Sequence, residues 1–188
     1  MLPKIKDHTY IRVGSAKIHH FLETEIGEQT DFDVFLVKYG RNLQRDYCWE
    51  LFQQQELIMS IIMNRHIPPI TVVKYSMPYL KEVIMIRGLS DEEIYKPRYQ
   101  IIDGKQRLLT HKKFIENEFS IEGSDGEKYY FKDLPENYKN HIQGYAYSCC
   151  EFIYKYYGDA TDDDLVDLFK WCNFAGTLQE KDYMERFV

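Results

Sequence analysis

The chain reads as an α+β domain, a small mixed sheet with helices packed against it and a largely helical extension behind. Short β-prone runs, Ile70–Tyr75 and Tyr99–Ile102, alternate with stretches whose apolar residues recur at helical spacing, Glu50–Asn64 and Gln106–Ile115. At 188 residues the chain is the size of one domain and can bury a core without staples. Its hydrophobic content of 44% and aromatic content of 15% argue for a packed fold and against disorder.

Residues 1–30 read as a lead-in, and residues 31–188 as a single domain with a core over 35–117 and an extension over 118–188. Ile18–Glu25 suits a short helix. The adjacent His19 and His20 would point in different directions on it, with no carboxylate at i+4, so they read as surface or packing residues rather than metal ligands. Phe32–Tyr39 is β-prone and is broken by Gly40. Gln44 and Arg45 then set an amide beside a guanidinium, a pair suited to phosphate or carboxylate. The alternative is that Arg45 pairs with Asp46 or Glu50 on the surface. Trp49 reads as a core anchor. The helix Glu50–Asn64 has an apolar face of Leu51, Phe52, Leu57, Ile58, Ile61 and Ile62, and Pro68–Pro69 closes that element. After the strand Ile70–Tyr75 come a second apolar run, Lys81–Arg87, and a charged loop, Gly88–Lys96.

The stretch from Tyr99 to Asn117 changes character in its middle. A buried strand ends at Ile102, Asp103 and Gly104 follow, and a helix begins with Lys105, Gln106 and Arg107. Glycine can take the tight turn such a reversal needs. A helix start offers unpaired N–H groups and the positive end of its dipole. Strand, glycine turn and donor-rich helix start together suit an anion. Common strand–glycine–helix turns with solvated cations are the competing reading.

Farther on, Phe119–Glu122 and Lys128–Phe131 suit a hairpin around Gly123 and Gly126. Pro135 and Glu136 mark a helix start, continuing through Tyr138–Gln143. Gly144–Tyr154 reads as a strand, with helix as the alternative. Thr161 and the acids Asp162, Asp163 and Asp164 cap a helix over Leu165–Cys172. Three acids could suggest Mg²⁺ or Ca²⁺, but the helix dipole explains them and no glycine-centred calcium loop surrounds them. The tail carries a turn at Gly176 and then a polar helix.

The net charge of −6 gives no global basic field for nucleic acid, so any DNA contact needs a local basic patch or a partner. Cys48, Cys149, Cys150 and Cys172 form no CxxC and have no His at zinc-finger spacing. They read as reduced, mostly buried thiols of a cytoplasmic protein, with neither zinc nor haem implied. No run approaches the length of a membrane span, and the first residues hold no apolar leader, so no membrane association is expected.

Several separated landmarks recur in a fixed order. They are Gln44-Arg45-x-Tyr47-x-Trp49, a helix containing Ser60, Ile67-Pro68-Pro69-Ile70 before a strand, Ile101-Ile102-Asp103-Gly104-Lys105-Gln106-Arg107, and Asn173-x-x-Gly176. Over roughly residues 35–185 this resembles the N-terminal domain of GmrSD-type modification-dependent restriction systems, also catalogued as domain of unknown function 262. That domain is similar in plan to the ParB/sulfiredoxin superfamily. The resemblance implies a site for a nucleoside triphosphate with Mg²⁺, with hydrolysis coupled to DNA restriction. Carried over, it makes Asp103, Gln106 and Arg107 catalytic candidates. It makes Gln44, Arg45, Gly104, Lys105, Arg107, Asn173 and Gly176 phosphate-binding candidates. Asp103 would hold Mg²⁺ or orient water, or alternatively cap the helix. Arg, Lys and helix-start N–H groups suit phosphoryl transfer, which is mostly positioning and charge neutralisation.

Two departures separate binding from hydrolysis. Lys105 stands where the family usually has Gln, keeping a charge but losing an amide able to orient water. Trp171 and Cys172 precede Asn173 where Arg-Leu is typical. No His-Asn-His pattern of the nuclease half occurs in these 188 residues, so nuclease action by this chain alone is not expected. The leading expectation is a nucleotide-binding, slowly hydrolysing domain of a restriction or defence-type system acting with a protein partner such as a nuclease. The alternatives are a non-catalytic module, of phage or mobile-element type, engaging a host protein or DNA, and a ParB-like DNA nuclease. The acidic net charge weighs against the last.

Overall fold

The computed structural model of the protein describes residues 10–18, 21, 30–80 and 97–174. Nine strands and four α-helices lie among them. In chain order they are β1 (Tyr10–Lys17), β2 (Thr30–Asp31), β3 (Phe35–Leu36), β4 (Arg41–Asn42), α1 (Leu51–Ile62), β5 (Ile70–Leu80), β6 (Tyr99–Asp103), α2 (Lys105–Ile115), β7 (Ile121–Glu122), β8 (Lys128–Tyr129), α3 (Glu136–Gly144), β9 (Ala146–Tyr157) and α4 (Asp162–Phe174). The α+β class expected from the sequence holds.

The main sheet has the order β1-β9-β5-β6-β2. β9 runs antiparallel to β1 and parallel to β5; β6 runs antiparallel to β5 and parallel to β2. Residues from the lead-in and from the extension thus enter the same sheet as the central motif. The successive burial of Tyr99, Gln100, Ile101 and Ile102 follows from cover on both faces of β6. Val72, Ile101, Leu108, Tyr147 and Cys149 join one core with α1 and Phe114 of α2. Val73, Tyr75, Ile102, Phe152 and Tyr154 join a second, against Leu165, Val166 and Phe169 of α4 and Leu36 of β3. Gln100 is buried because the Tyr75 hydroxyl donates to its Oε1 at 2.7 Å.

Local signals set the ends of the helices. Glu50 and Gln53 form a reciprocal capping box before α1. Asn64 takes a left-handed φ of 51° after it, ahead of Pro68 and Pro69. Thr161 and Asp164 cap α4 reciprocally: Thr161 N–H donates to Asp164 Oδ2 at 3.0 Å, and Asp164 N–H to Thr161 Oγ1 at 3.2 Å. The other two acids dock the turn after β3. Asp162 accepts Lys38 N–H, and Asp163 accepts the Lys38 ammonium and the Tyr39 hydroxyl. Among the described residues no cluster of three or more metal-ligating side chains occurs.

The expected strand Phe32–Tyr39 is shortened to Phe35–Leu36. Asp31 Oδ1 accepts the N–H of both Asp33 and Val34, and Val34 turns to a φ of 42°. The Asp side chain competes with sheet pairing and wins. Trp49 is half-buried against the first core rather than a full anchor. The expected hairpin forms as Ile121↔Tyr129 and Glu122↔Lys128. The runs Lys81–Arg87 and Gly88–Lys96, most of Ile18–Glu25, His19, His20 and the segment around Gly176 lie outside the described residues.

His111 of α2 is buried where the sheet meets α3. Its Nε2 lies 3.0 Å from the Ile142 carbonyl, which can only accept, so Nε2 carries the proton. Nδ1 then accepts from the Tyr147 hydroxyl at 3.1 Å. Burial pushes this imidazole down to about 4, the Ile142 carbonyl partly opposing it. The unfolded chain binds a proton near pH 6.5 that the fold refuses until about pH 4. Stability from this group is therefore full above pH 6.5, falls as the pH drops to 4, and levels off below. The loss reaches at most roughly 3 kcal/mol. Denaturant unfolding across pH 4–7 will show a shallower decline for His111→Gln than for the wild type; parallel declines would refute the assignment.

Candidate functional site

The site is built by the junction of β6 and α2. Val72 pairs with Ile101 while Thr71 pairs with Asp103, so β6 carries one extra residue, a bulge at its end. Bulges re-aim the residues that follow them. Gly104 then reverses the chain at φ 107°. A Cβ there would lie 2.3 Å from Ile70 Cδ1, so strand and helix meet closer than any side chain permits. No side-chain cap and no acidic residue occupies the first turn of α2. Its first internal hydrogen bond here is Leu108 N–H to Gly104 O, at 3.0 Å. The N–H groups of Lys105, Gln106 and Arg107 are left at the positive end of the dipole.

A cleft of about 150 Å³ lies at this end, walled by Gln44, Arg45, Trp49, Asp103 to Arg107 and Phe169. Seven expected site residues are thus brought together across sixty residues of sequence. Arg45 is exposed, and among the described residues no ion pair joins it to Asp46 or Glu50. Gln44 Nε2 donates to the Ile101 carbonyl at 2.5 Å, which fixes the loop against β6. Gln106 accepts Cys48 N–H through Oε1 at 2.9 Å and donates from Nε2 to the Asp46 carbonyl at 3.0 Å. Its amide clasps residues 46–48 to α2.

The two motif cations are paired inside the protein. Lys105, 4% exposed, reaches Asp33 Oδ1 at 2.5 Å, whereas the Asp33 side chain is 65% exposed. Arg107 donates to Asp103 Oδ2 at 2.8 Å and also to the Pro68 carbonyl. Asp103 is the carboxylate on the cleft wall. Mg²⁺ is commonly bound through one or two carboxylates, and Asp103 is the residue here that could hold the ion, with Oδ2 already accepting from Arg107.

Asn173 is not in the cleft. Its Nδ2 donates to the Phe169 carbonyl one turn back, at 2.7 Å, and its side chain lines a neighbouring groove. Gly176 lies outside the described residues. That groove, of about 940 Å³, also holds the thiols of Cys149 and Cys172. Burial pushes them up to about 12 and about 11, so both stay protonated and poorly nucleophilic at neutral pH. Sequence reasoning missed Asp33 and Phe169. Asp33 had a signal, since an Asp-x-Asp before a strand favours the Asx turn that presents it; Phe169 had only its place on the buried face of α4.

The family model described as GmrSD restriction endonuclease, N-terminal domain, matches residues 41–186. The chain belongs to that family, which is named for a restriction system. Neither the curated proteins nor the solved structures contain a match.

Gly104→Ala will be destabilising twice over. The positive φ costs about 1–3 kcal/mol and overpacking Ile70 about 1–3 more. Denaturant unfolding will show a smaller loss when Gly104→Ala is made on an Ile70→Val background, because the Cδ1 it strikes is gone. Equal losses on both backgrounds would mean that Ile70 does not set the approach.

Proposed function

We propose that the protein binds a nucleoside triphosphate with Mg²⁺ at the start of α2, hydrolyses it slowly, and passes the bound state to a partner such as the nuclease of a restriction or defence system. The observation that carries this reading is the uncapped first turn of α2 opening into a cleft with the exposed Arg45. Backbone N–H groups and a guanidinium recognise phosphate oxygens there. Asp103 would hold the Mg²⁺, which neutralises phosphate charge when bound. Lys105 is released to the ligand only as Asp33 gives way, so phosphate and the Asp33 carboxylate compete for one ammonium. Membership of a restriction endonuclease family supports the setting.

One observation favours a second reading, a non-catalytic module. Both polar atoms of the Gln106 amide are held by the backbone of residues 46–48, and Lys105 replaces an amide, so no free amide stands ready to orient water. Slow turnover follows on the first reading and none on the second.

Calorimetric titration with each nucleoside triphosphate and Mg²⁺, alongside phosphate release, tests the proposal. Arg45→Ala removes an exposed, charge-assisted contact and will weaken binding by about 1.5–3 kcal/mol, tenfold or more, without lowering stability. Asp33→Asn will tighten binding by removing the competing carboxylate. Absence of binding to every triphosphate would overturn the reading. Binding with no phosphate release would select the module.

A further inference from the structure

The cleft at α2 is too small for a whole nucleotide. Its volume of about 150 Å³ falls below the roughly 300–1,000 Å³ of small-molecule sites. The groove beside it, about 940 Å³, is large enough, and the two share Trp49, Asp103 and Arg107 in their walls. They adjoin across these side chains, the cleft lined largely by charged and polar groups and the groove by apolar and aromatic ones. Phe52 and Trp171 line the groove while 65% and 59% exposed, an unusual outlay of aromatic surface. Both tryptophans of the chain are in it.

Resting on the nucleotide reading above, we propose that this groove is the seat of the nucleobase, with the triphosphate in the α2 cleft and the base stacked on the tryptophans, Trp49 at the junction. The rings are positioned for it. Trp171 is braced edge-on by Phe152, with centroids 6.1 Å apart at 82°. Trp49 directly follows the residues that Gln106 clasps to α2, and its carbonyl accepts from Gln54 Nε2 at 2.8 Å. The amide that orders the phosphate turn therefore also fixes the distance from that turn to the stacking ring. Gln106 is on this view a positioning residue. Stacking takes any base, so preference among bases falls to polar groups of the groove such as Ser60, His66 and Asn173.

Titrating the intact chain with nucleoside triphosphates and with inorganic tripolyphosphate, each with Mg²⁺, separates the two ends of the site. At least one nucleotide will bind roughly 5–150-fold more tightly than tripolyphosphate, the worth of one stacked base. It will also quench tryptophan emission where tripolyphosphate does not. Trp49→Ala and Trp171→Ala, checked for folding by circular dichroism, will bring the affinity ratio towards one. If nucleotide and tripolyphosphate bind alike without quenching, the base seat is overturned and the phosphate site stands. If the ratio survives in both variants and in the double variant, the base sits elsewhere. If neither ligand binds, the nucleotide reading fails and the base seat with it.

Discussion

The close approach of Gly104 to Ile70 is the constraint on which the rest of the site depends. A side chain at Gly104 would need space that Ile70 Cδ1 already fills, and a backbone conformation that L-residues avoid. Because the turn is that tight, α2 begins at once after β6, with no linker in which a capping side chain could stand. The open helix end is therefore a consequence of the packing. The bulge at Ile102 sends that residue into the second core while Asp103 goes on to the cleft. One irregular step in one strand thus feeds both a core and a site.

The long polar side chains of that turn are each partnered inside the protein. Lys105 is met by Asp33, Arg107 by Asp103 and the Pro68 carbonyl, and Gln106 by the backbone of residues 46–48. Burying Lys105 unpaired would be costly, so Asp33 has a structural duty in the absence of ligand. It is also mostly exposed and mounted on a short turn, which makes it the replaceable partner of the two. On the proposed reading a phosphate group would supply the same charge with more acceptor oxygens, so that the pair would serve stability without ligand and give way to recognition with it.

Much of this was legible from residue types alone. The β6–Gly104–α2 reversal showed as a switch from a β-prone run to helical spacing around a glycine, and the capping of α4 showed as Thr161 ahead of three acids. Gln44 and Arg45 were placed at the site by a resemblance that the family match supports, and the fold carries both to the cleft. The misreadings were tertiary. Phe32–Tyr39 has the composition of a strand, but one carboxylate, Asp31, outbids the sheet for two N–H groups. Asn173, offered as a phosphate ligand by the resemblance, lines the neighbouring groove instead of the cleft, with its Nδ2 donating to the Phe169 carbonyl. The pairing of Lys105 with Asp33 joins residues seventy-two apart, which no local pattern can announce.

A crystal structure with a slowly hydrolysed nucleoside triphosphate and Mg²⁺ examines the central claim most directly. Phosphate oxygens will lie within hydrogen-bond distance of the N–H groups of Lys105, Gln106 and Arg107, with Arg45 turned onto them and Lys105 Nζ drawn away from Asp33. Phosphates bound elsewhere, with the Lys105–Asp33 pair intact and the first turn of α2 still open, would contradict it.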